Sequence, residues 1–171
     1  MEMLSFRPAE TADSELFYRM MNMSQDFQSV DYIALSKIEQ ELEAGGYHDD
    51  YLHIYVAQLN EEAIGLIYLY HIREGLIRMG IQLEKEQRGK GYGRRLIREM
   101  AAYLFANTTV ERLEADTDVE NLACQKAFSA AGFTDEARLR HFRFHHGRWH
   151  DSLLFSLLRE DWLQNRNEEI V

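Results

Sequence analysis

The sequence predicts a single α/β domain. Its 171 residues suit one domain, and 46% of them are hydrophobic, enough to build a core. An apolar run, Leu76–Leu83, reads as a strand; a glycine-rich turn, Arg88–Gly93, leads from it into a stretch with helical spacing, Tyr92–Ala106. A second passage runs from a strand at Arg112–Asp116 into a short helix closing at Gly132–Phe133. Strands that alternate with helices in this way mark α/β and mixed sheets. No repeat, linker or low-complexity segment divides the chain, and its only proline is Pro8.

Leu4–Arg7 reads as a short first strand. A helix is expected over Thr11–Met23, with Leu16, Phe17, Met20 and Met21 on one face and Thr11 or Asp13 as its cap. A second helix, Ile33–Ala44, ends at Gly45-Gly46. Leu52–Leu59 and Ala63–His71 flank Asn60-Glu61-Glu62 and predict an antiparallel hairpin. Tyr68 and Tyr70 share a face of its second strand, where they line a site or fill the core. In the helix after the glycine turn, Leu96, Ile97, Met100, Ala101 and Leu104 make the buried stripe. Asn121 is a good N-cap for the next helix. At its end Gly132 suits a left-handed residue with Phe133 as the apolar partner. Phe133–His145 and Trp149–Leu158 form a terminal hairpin around His146-Gly147-Arg148.

The turn Arg88-Gly89-Lys90-Gly91-Tyr92-Gly93 places bare backbone N–H groups at a helix N-terminus. Such a terminus carries partial positive charge and binds phosphate, and the glycines let a ligand approach the main chain. A pyrophosphate-bearing cofactor is implied. No Gly-Lys-Ser/Thr ends the turn, and the Gly-x-Gly-x-x-Gly dinucleotide fingerprint is absent. The pattern Arg-x-x-Gly-x-Gly instead resembles the acetyl-CoA motif of the GNAT superfamily of N-acetyltransferases. Residues 113–133 resemble its other signature, with Asn121, Ala123, Phe128, Gly132 and Phe133 at matching positions. Gly147-x-Trp149-x-Asp151, followed by an apolar strand and Asp161-Trp162, resembles the RimJ/RimL branch. The resemblance spans roughly residues 3–162 of 1–171; it leaves 163–171 as a tail, frayed from Arg166.

That resemblance implies a mixed, twisted sheet with helices on both faces. It also implies transfer of the acetyl group of acetyl-CoA, without a metal, to a primary amine by direct attack. Protein N-termini, polyamines and small-molecule amines are all open as acceptors. The main chain of Arg88, Gly89, Lys90, Gly91, Tyr92, Gly93 and Arg94 would hold the pyrophosphate. Ile81, Gln82 and Leu83 would pair with the pantetheine arm, one N–H polarising the thioester carbonyl. Asp116, five residues before Asn121, is the candidate base, directly or through water, with Glu114 in reserve. Capping of the following helix by Asp116 or Asp118 is the competing reading. Asn121 belongs to the implied site. The family's Tyr, seven residues after that Asn, is Phe128 here, which donates no proton and would pack on the pantetheine arm. A thiolate of pKa near 8.5 can leave without full protonation, and water or Tyr92 could protonate it afterwards. A second departure is Arg78, where a Glu is frequent. These departures keep a non-catalytic acetyl-CoA-binding module open as the alternative.

A net charge of −10 and a pI of about 5.2 argue against nucleic-acid binding and are compatible with a cationic substrate. The local cations Arg88, Lys90, Arg94, Arg95 and Arg98 fit an anionic cofactor. No apolar run approaches a membrane span, and Met1–Arg7 shows no secretory signal. The single cysteine, Cys124, forms no internal disulfide and fits a reducing, cytoplasmic setting. His141, His145, His146 and His150 cluster on the terminal hairpin; they are expected exposed or half-buried, without a metal, for want of a carboxylate at ligand spacing. His71 is a further candidate base. Oligomeric state is not legible, and a homodimer is compatible with the chain.

Overall fold

The computed structural model of the chain describes residues 2–23, 27 and 32–168. Its seven strands are β1 Leu4–Pro8, β2 Leu52–Leu59, β3 Glu62–Arg73, β4 Leu76–Leu83, β5 Arg112–Asp118, β6 Thr134–His145 and β7 Arg148–Leu158. They form one sheet in the order β1-β2-β3-β4-β5-β7-β6. Only β4 and β5 run parallel, so the sheet is mixed, as expected. The helices are α1 Ser14–Asn22, α2 Leu35–Glu43, α3 Tyr92–Asn107, α4 Leu122–Ala130 and α5 Arg159–Glu168.

Strand alternation distributes the helices over both faces. Ile54 and Val56 of β2 pack with Leu16, Phe17 and Met20 of α1 and Ile38 of α2, whereas Ala57 joins Leu96, Ile97 and Met100 of α3 on the other face. Phe17, Met20 and Ile38 are fully buried, each contributing about 1.5–3 kcal/mol of hydrophobic free energy.

Several local expectations need correction. Asp13 stands at the N-cap of α1, but its side chain makes no capping bond to that helix. Its carboxylate accepts from the Glu10 N–H and both Arg7 Nη groups, which ties α1 to β1. The tail expected over 163–171 is helical as far as Glu168, and residues 169–171 lie outside the described residues. This helix, α5, has little apolar periodicity and is held by tertiary contacts. Trp162 packs on Phe105 at 5.4 Å between ring centroids, and the Arg159 guanidinium donates to the carbonyls of Phe105 in the last turn of α3 and of Thr108 and Val110 just after it. A cation at a helix C-terminus satisfies exposed carbonyls and complements the dipole.

An ion-pair network crosses the sheet. Arg78 Nη2 donates to Glu114 at 2.8 Å, Arg112 Nε donates to the same carboxylate at 2.9 Å, and Arg112 Nη2 reaches Glu136 at 2.6 Å. Arg112, and then the Ser156 hydroxyl, pull the Glu136 carboxyl from 4.5 down to about 2. A carboxyl depressed on folding stabilises above its unfolded pKa and loses that contribution as pH falls through the folded one. In urea unfolding, Glu136→Gln should therefore be less stable than the parent above pH 4.5, the difference closing towards about pH 2. A gap that stays constant over that range would rule the pairing out as a source of stability.

One feature of the sheet positions the site. β4 and β5 pair only at Leu76↔Arg112, Ile77↔Leu113 and Arg78↔Glu114. Beyond that point β4 continues to Leu83 and β5 to Asp118 without contact in register, so the sheet opens into a cleft.

Candidate active site

The cleft holds a cavity of about 650 Å³. Met79–Gln82 of β4 and Asp116–Asp118 of β5 form its sides. Met20 and Met21 of α1, Phe27 and Ile33, Tyr68 and Tyr70 of β3, Arg78 of β4, Asn121, Cys124 and Phe128 at α4, and Arg143 and Phe144 of β6 add to the lining. The two tyrosines stack at 6.4 Å with an interplanar angle of 7°. Gln82 links three elements: it accepts from the Tyr68 hydroxyl at 2.9 Å and donates to the Met20 carbonyl at 2.6 Å. Burial pushes the Tyr68 hydroxyl well above its ordinary pKa, so it serves as a donor.

The glycine turn follows β4. Gly89 and Gly91 adopt φ of +74° and +84°, which suits glycine, and a Cβ on either would meet nothing within 4 Å. Among the described residues no acceptor receives any of the six N–H groups from Gly89 to Arg94. Arg88 Nε donates to the Leu83 carbonyl at 2.9 Å and fastens the turn to the end of β4. Arg88, Gly89, Lys90, Gly91 and Arg94 are exposed. Ile81 and Leu83 bury side chains against the core while their main chain lies on the stretch of β4 that β5 has left. An open strand edge that ends in a ring of free N–H groups fits an elongated ligand terminating in phosphates.

Asn121 caps α4: its Oδ1 accepts from the Cys124 N–H at 3.2 Å, and its Nδ2 has no partner among the described residues. The helix ends in a Schellman motif. Phe133 N–H donates to the Phe128 carbonyl and Gly132 N–H to Ser129, with Gly132 at φ +96° and the Phe128 and Phe133 rings 5.2 Å apart. Phe128 is thereby locked between Phe133 and Phe155 on the cavity wall. Burial pushes the Cys124 thiol up, against a nucleophilic role.

Also on the cavity wall, Arg143 Nη2 donates to Asp116 Oδ2 at 2.5 Å and to the Asp116 carbonyl at 3.0 Å, while its Nε donates to Ser152 Oγ. Asp116 Oδ1 has no hydrogen-bond donor among the described residues; Arg78 Nε lies 3.9 Å from it.

The chain matches the Acetyltransferase (GNAT) domain family over residues 3–134. It belongs to the GNAT acetyltransferases. It is 27% identical to spermidine N(1)-acetyltransferase of Vibrio cholerae, with 96% of this chain and 98% of that protein covered. It is 24% identical to the probable N-acetyltransferase YjcK of Bacillus subtilis, with 91% and 93% covered. The crystal structure of the Vibrio cholerae spermidine N-acetyltransferase in complex with CoA and spermine superposes with a TM-score of 0.84 at 25% identity, covering 94% of this chain and 98% of that one. As a GNAT N-acetyltransferase, the protein transfers the acetyl group of acetyl-CoA to a primary amine. No helix among the described residues is long and apolar enough to cross a membrane.

Within this acetyltransferase the expected site residues do not all converge. Neither Asp116 nor Asp118 caps α4; Asn121 does. Glu114 is withdrawn from the cavity: burial raises its carboxyl, but Arg78 and Arg112 outweigh that and hold it low, which leaves a poor base. The Tyr92 hydroxyl donates to Glu2 and is absent from the cavity lining, so it is not placed to protonate a thiolate. His71 packs against His53 at 4.5 Å, away from the cleft.

The hairpin histidines are the clearest miss. His141 and His146 are exposed, but His145 and His150 are buried and stack at 3.6 Å. Asp118 supplies the carboxylate that the spacing did not reveal: its Oδ2 lies 2.7 Å from His145 Nε2 and 3.6 Å from His150 Nδ1. Burial pushes Asp118 up, yet the His145 contact, the Glu120 N–H and the two imidazoles more than offset it and hold its carboxyl low. Ligand atoms of these three residues fall within 4.8 Å of one another. However, Arg148 Nε donates to His150 Nε2, which puts the proton of a neutral ring on Nδ1, towards Asp118. The stacked rings and the 2.7 Å hydrogen bond between His145 Nε2 and Asp118 suit a latch between the hairpin and the β5–α4 turn.

Proposed function

We propose that the turn Arg88–Arg94 holds the pyrophosphate of acetyl-CoA and the freed edge at Ile81, Gln82 and Leu83 holds its pantetheine arm. The observation that carries this reading is the parting of β4 from β5 ahead of six N–H groups that no acceptor among the described residues receives. Acetyl-CoA supplies an activated acetyl thioester. Phe128 packs against the arm, and Asn121 Nδ2 is free to donate into the cleft. The acceptor enters between Tyr70, Asp116, Arg143 and Phe144. Asp116 Oδ1 receives the ammonium and, directly or through water, takes one proton from it. The neutral nitrogen then forms the C–N bond to the acetyl carbonyl as the C–S bond breaks, and the second proton released from nitrogen ends on the thiolate. The single free cysteine fits action in the cytoplasm. The names of the spermidine-acetylating relatives support an amine acceptor.

The test is thiol release from acetyl-CoA over a panel of amines, together with calorimetric binding of CoA. CoA binding without thiol release in the presence of any amine would overturn acetyl transfer in favour of a binding module. Phe128→Tyr is expected to change activity by less than about tenfold, roughly 1.4 kcal/mol of barrier. A gain of several hundredfold would show that the native site lacks a needed acid.

A further inference from the structure

The C-terminal end of α1 is tied to the end of β4 and the turn that follows it. Glu84 accepts from Arg19 Nη2 at 2.8 Å, and Arg88 Nη2 reaches Met23 Sδ at 3.7 Å. The first is an exposed ion pair and the second uses a weak acceptor, so neither contributes much. The inner tie is Gln82. Its Oε1 accepts from the Tyr68 hydroxyl at 2.9 Å, which fixes the amide, and its Nε2 donates to the Met20 carbonyl at 2.6 Å. Met20 lies in the last turn of α1, where carbonyls have no intrahelical N–H to accept from. Gln82 brings that carbonyl a donor from 62 residues further along the chain.

The connection continues into the cavity wall. Asn22, the final residue of α1, donates through Nδ2 to the carbonyls of Tyr18 and Ile33 at 2.9 Å each and accepts from the Ile33 N–H at 2.7 Å. One side chain thereby pairs with both backbone groups of Ile33 and holds that residue against α1. Met20, Met21 and Ile33 all line the cavity. A hydrogen-bonded path therefore runs from β4 through Gln82, the end of α1 and Asn22 to an apolar stretch of wall. Its two ends border different guests. The main chain of Gln82 lies on the strand edge proposed above for the pantetheine arm, and the wall borders the cavity proposed for the amine.

We propose that Gln82 is a positioning residue for the acceptor: its side chain sets Met20, Met21 and Ile33 relative to the cofactor strand, and so sets where the amine lies relative to the thioester. This rests on the acetyl-transfer reading. Two roles meet in one residue and are separable, because the arm would be held by main chain while the wall is held by the side-chain amide. Loss of Nε2 frees the end of α1 to shift, and a small displacement of a positioning wall is enough to weaken the productive complex.

The experiment measures thiol release by Gln82→Met and Asn22→Ala, varying acetyl-CoA and then the amine that the parent uses best among spermidine, 2-phenylethylamine, L-phenylalanine and a Met-Ala dipeptide. Gln82→Met keeps the length of the side chain but has no donor. Asn22→Ala opens the far end of the path without touching β4, and it carries the test if Gln82→Met fails to fold. Each should raise KM for the amine by about 3–10-fold, the scale of one neutral hydrogen bond, and leave KM for acetyl-CoA and the calorimetric Kd of CoA within about twofold. A merely structural role would move both KM values together. An unchanged amine KM in the folded variants, or an equal rise in KM for acetyl-CoA, would overturn the assignment and leave acetyl transfer standing. CoA binding by the parent with no turnover of any amine would overturn the acetyl-transfer reading and the assignment with it.

Discussion

Replacing Gly91 by Asp is expected to remove most CoA binding while the chain stays folded. Gly91 sits at φ +84°, where an L residue is strained by about 1–2 kcal/mol, and it is exposed with nothing within 4 Å of a built Cβ. The new carboxylate would stand where the pyrophosphate is proposed to lie. Like charges about 4 Å apart repel by roughly 1–4 kcal/mol between the water and protein-surface limits, a loss of about 5–1,000-fold in affinity. Gly91→Ala carries the strain without the charge and should lose much less. Titration calorimetry with CoA, beside circular dichroism for the fold, reads the difference. Undiminished affinity in a folded Gly91→Asp protein would sink the phosphate assignment.

Asp116→Asn should lower kcat by about 10²–10³, the usual span for a general base, with CoA affinity nearly intact because the residue lies outside the glycine turn. An alkyl amine of pKa about 10.4 is less than a thousandth neutral at pH 7, and even a peptide α-amine near 8 is only about a tenth neutral. A carboxylate that takes the proton therefore matters for either. Asn keeps an acceptor for Arg143 but gives up the charge and the basicity. Near-parental kcat from about pH 6 to about pH 9 would show instead that Asp116 only anchors Arg143. The helix-capping explanation is already closed, since Asn121 occupies the cap.

The chain's short-range chemistry was legible from sequence. β2 and β4 occur with the expected limits, and α3 extends the expected helix by one residue. Period-two and period-3.6 apolar patterns specify such elements with little help from distant parts of the chain. The Asn121 cap and the Gly132–Phe133 ending also follow from groups a few residues apart. So do the left-handed glycines of the turn, where the proposed phosphate recognition depends on backbone and hence on local spacing.

Tertiary structure decided the electrostatics of the acceptor side. Asp116 and Arg143 are 27 residues apart and meet because β6 carries extra residues between Leu139 and Arg143 before it resumes pairing with β7. Asp151 clamps that irregularity, accepting from the His141 N–H and from Arg138. No local pattern announces such a register change. The same packing buries His145 and His150 over Asp118, and a docking contact on Phe105 turns an apparently polar tail into α5. Hydrophobic periodicity is written along the chain, but which charge faces which is set only when strands distant in sequence come together. For this acetyltransferase, the turn proposed to hold the cofactor could therefore be read from one hexapeptide, while the residues proposed to meet the amine could be seen only in the folded cleft.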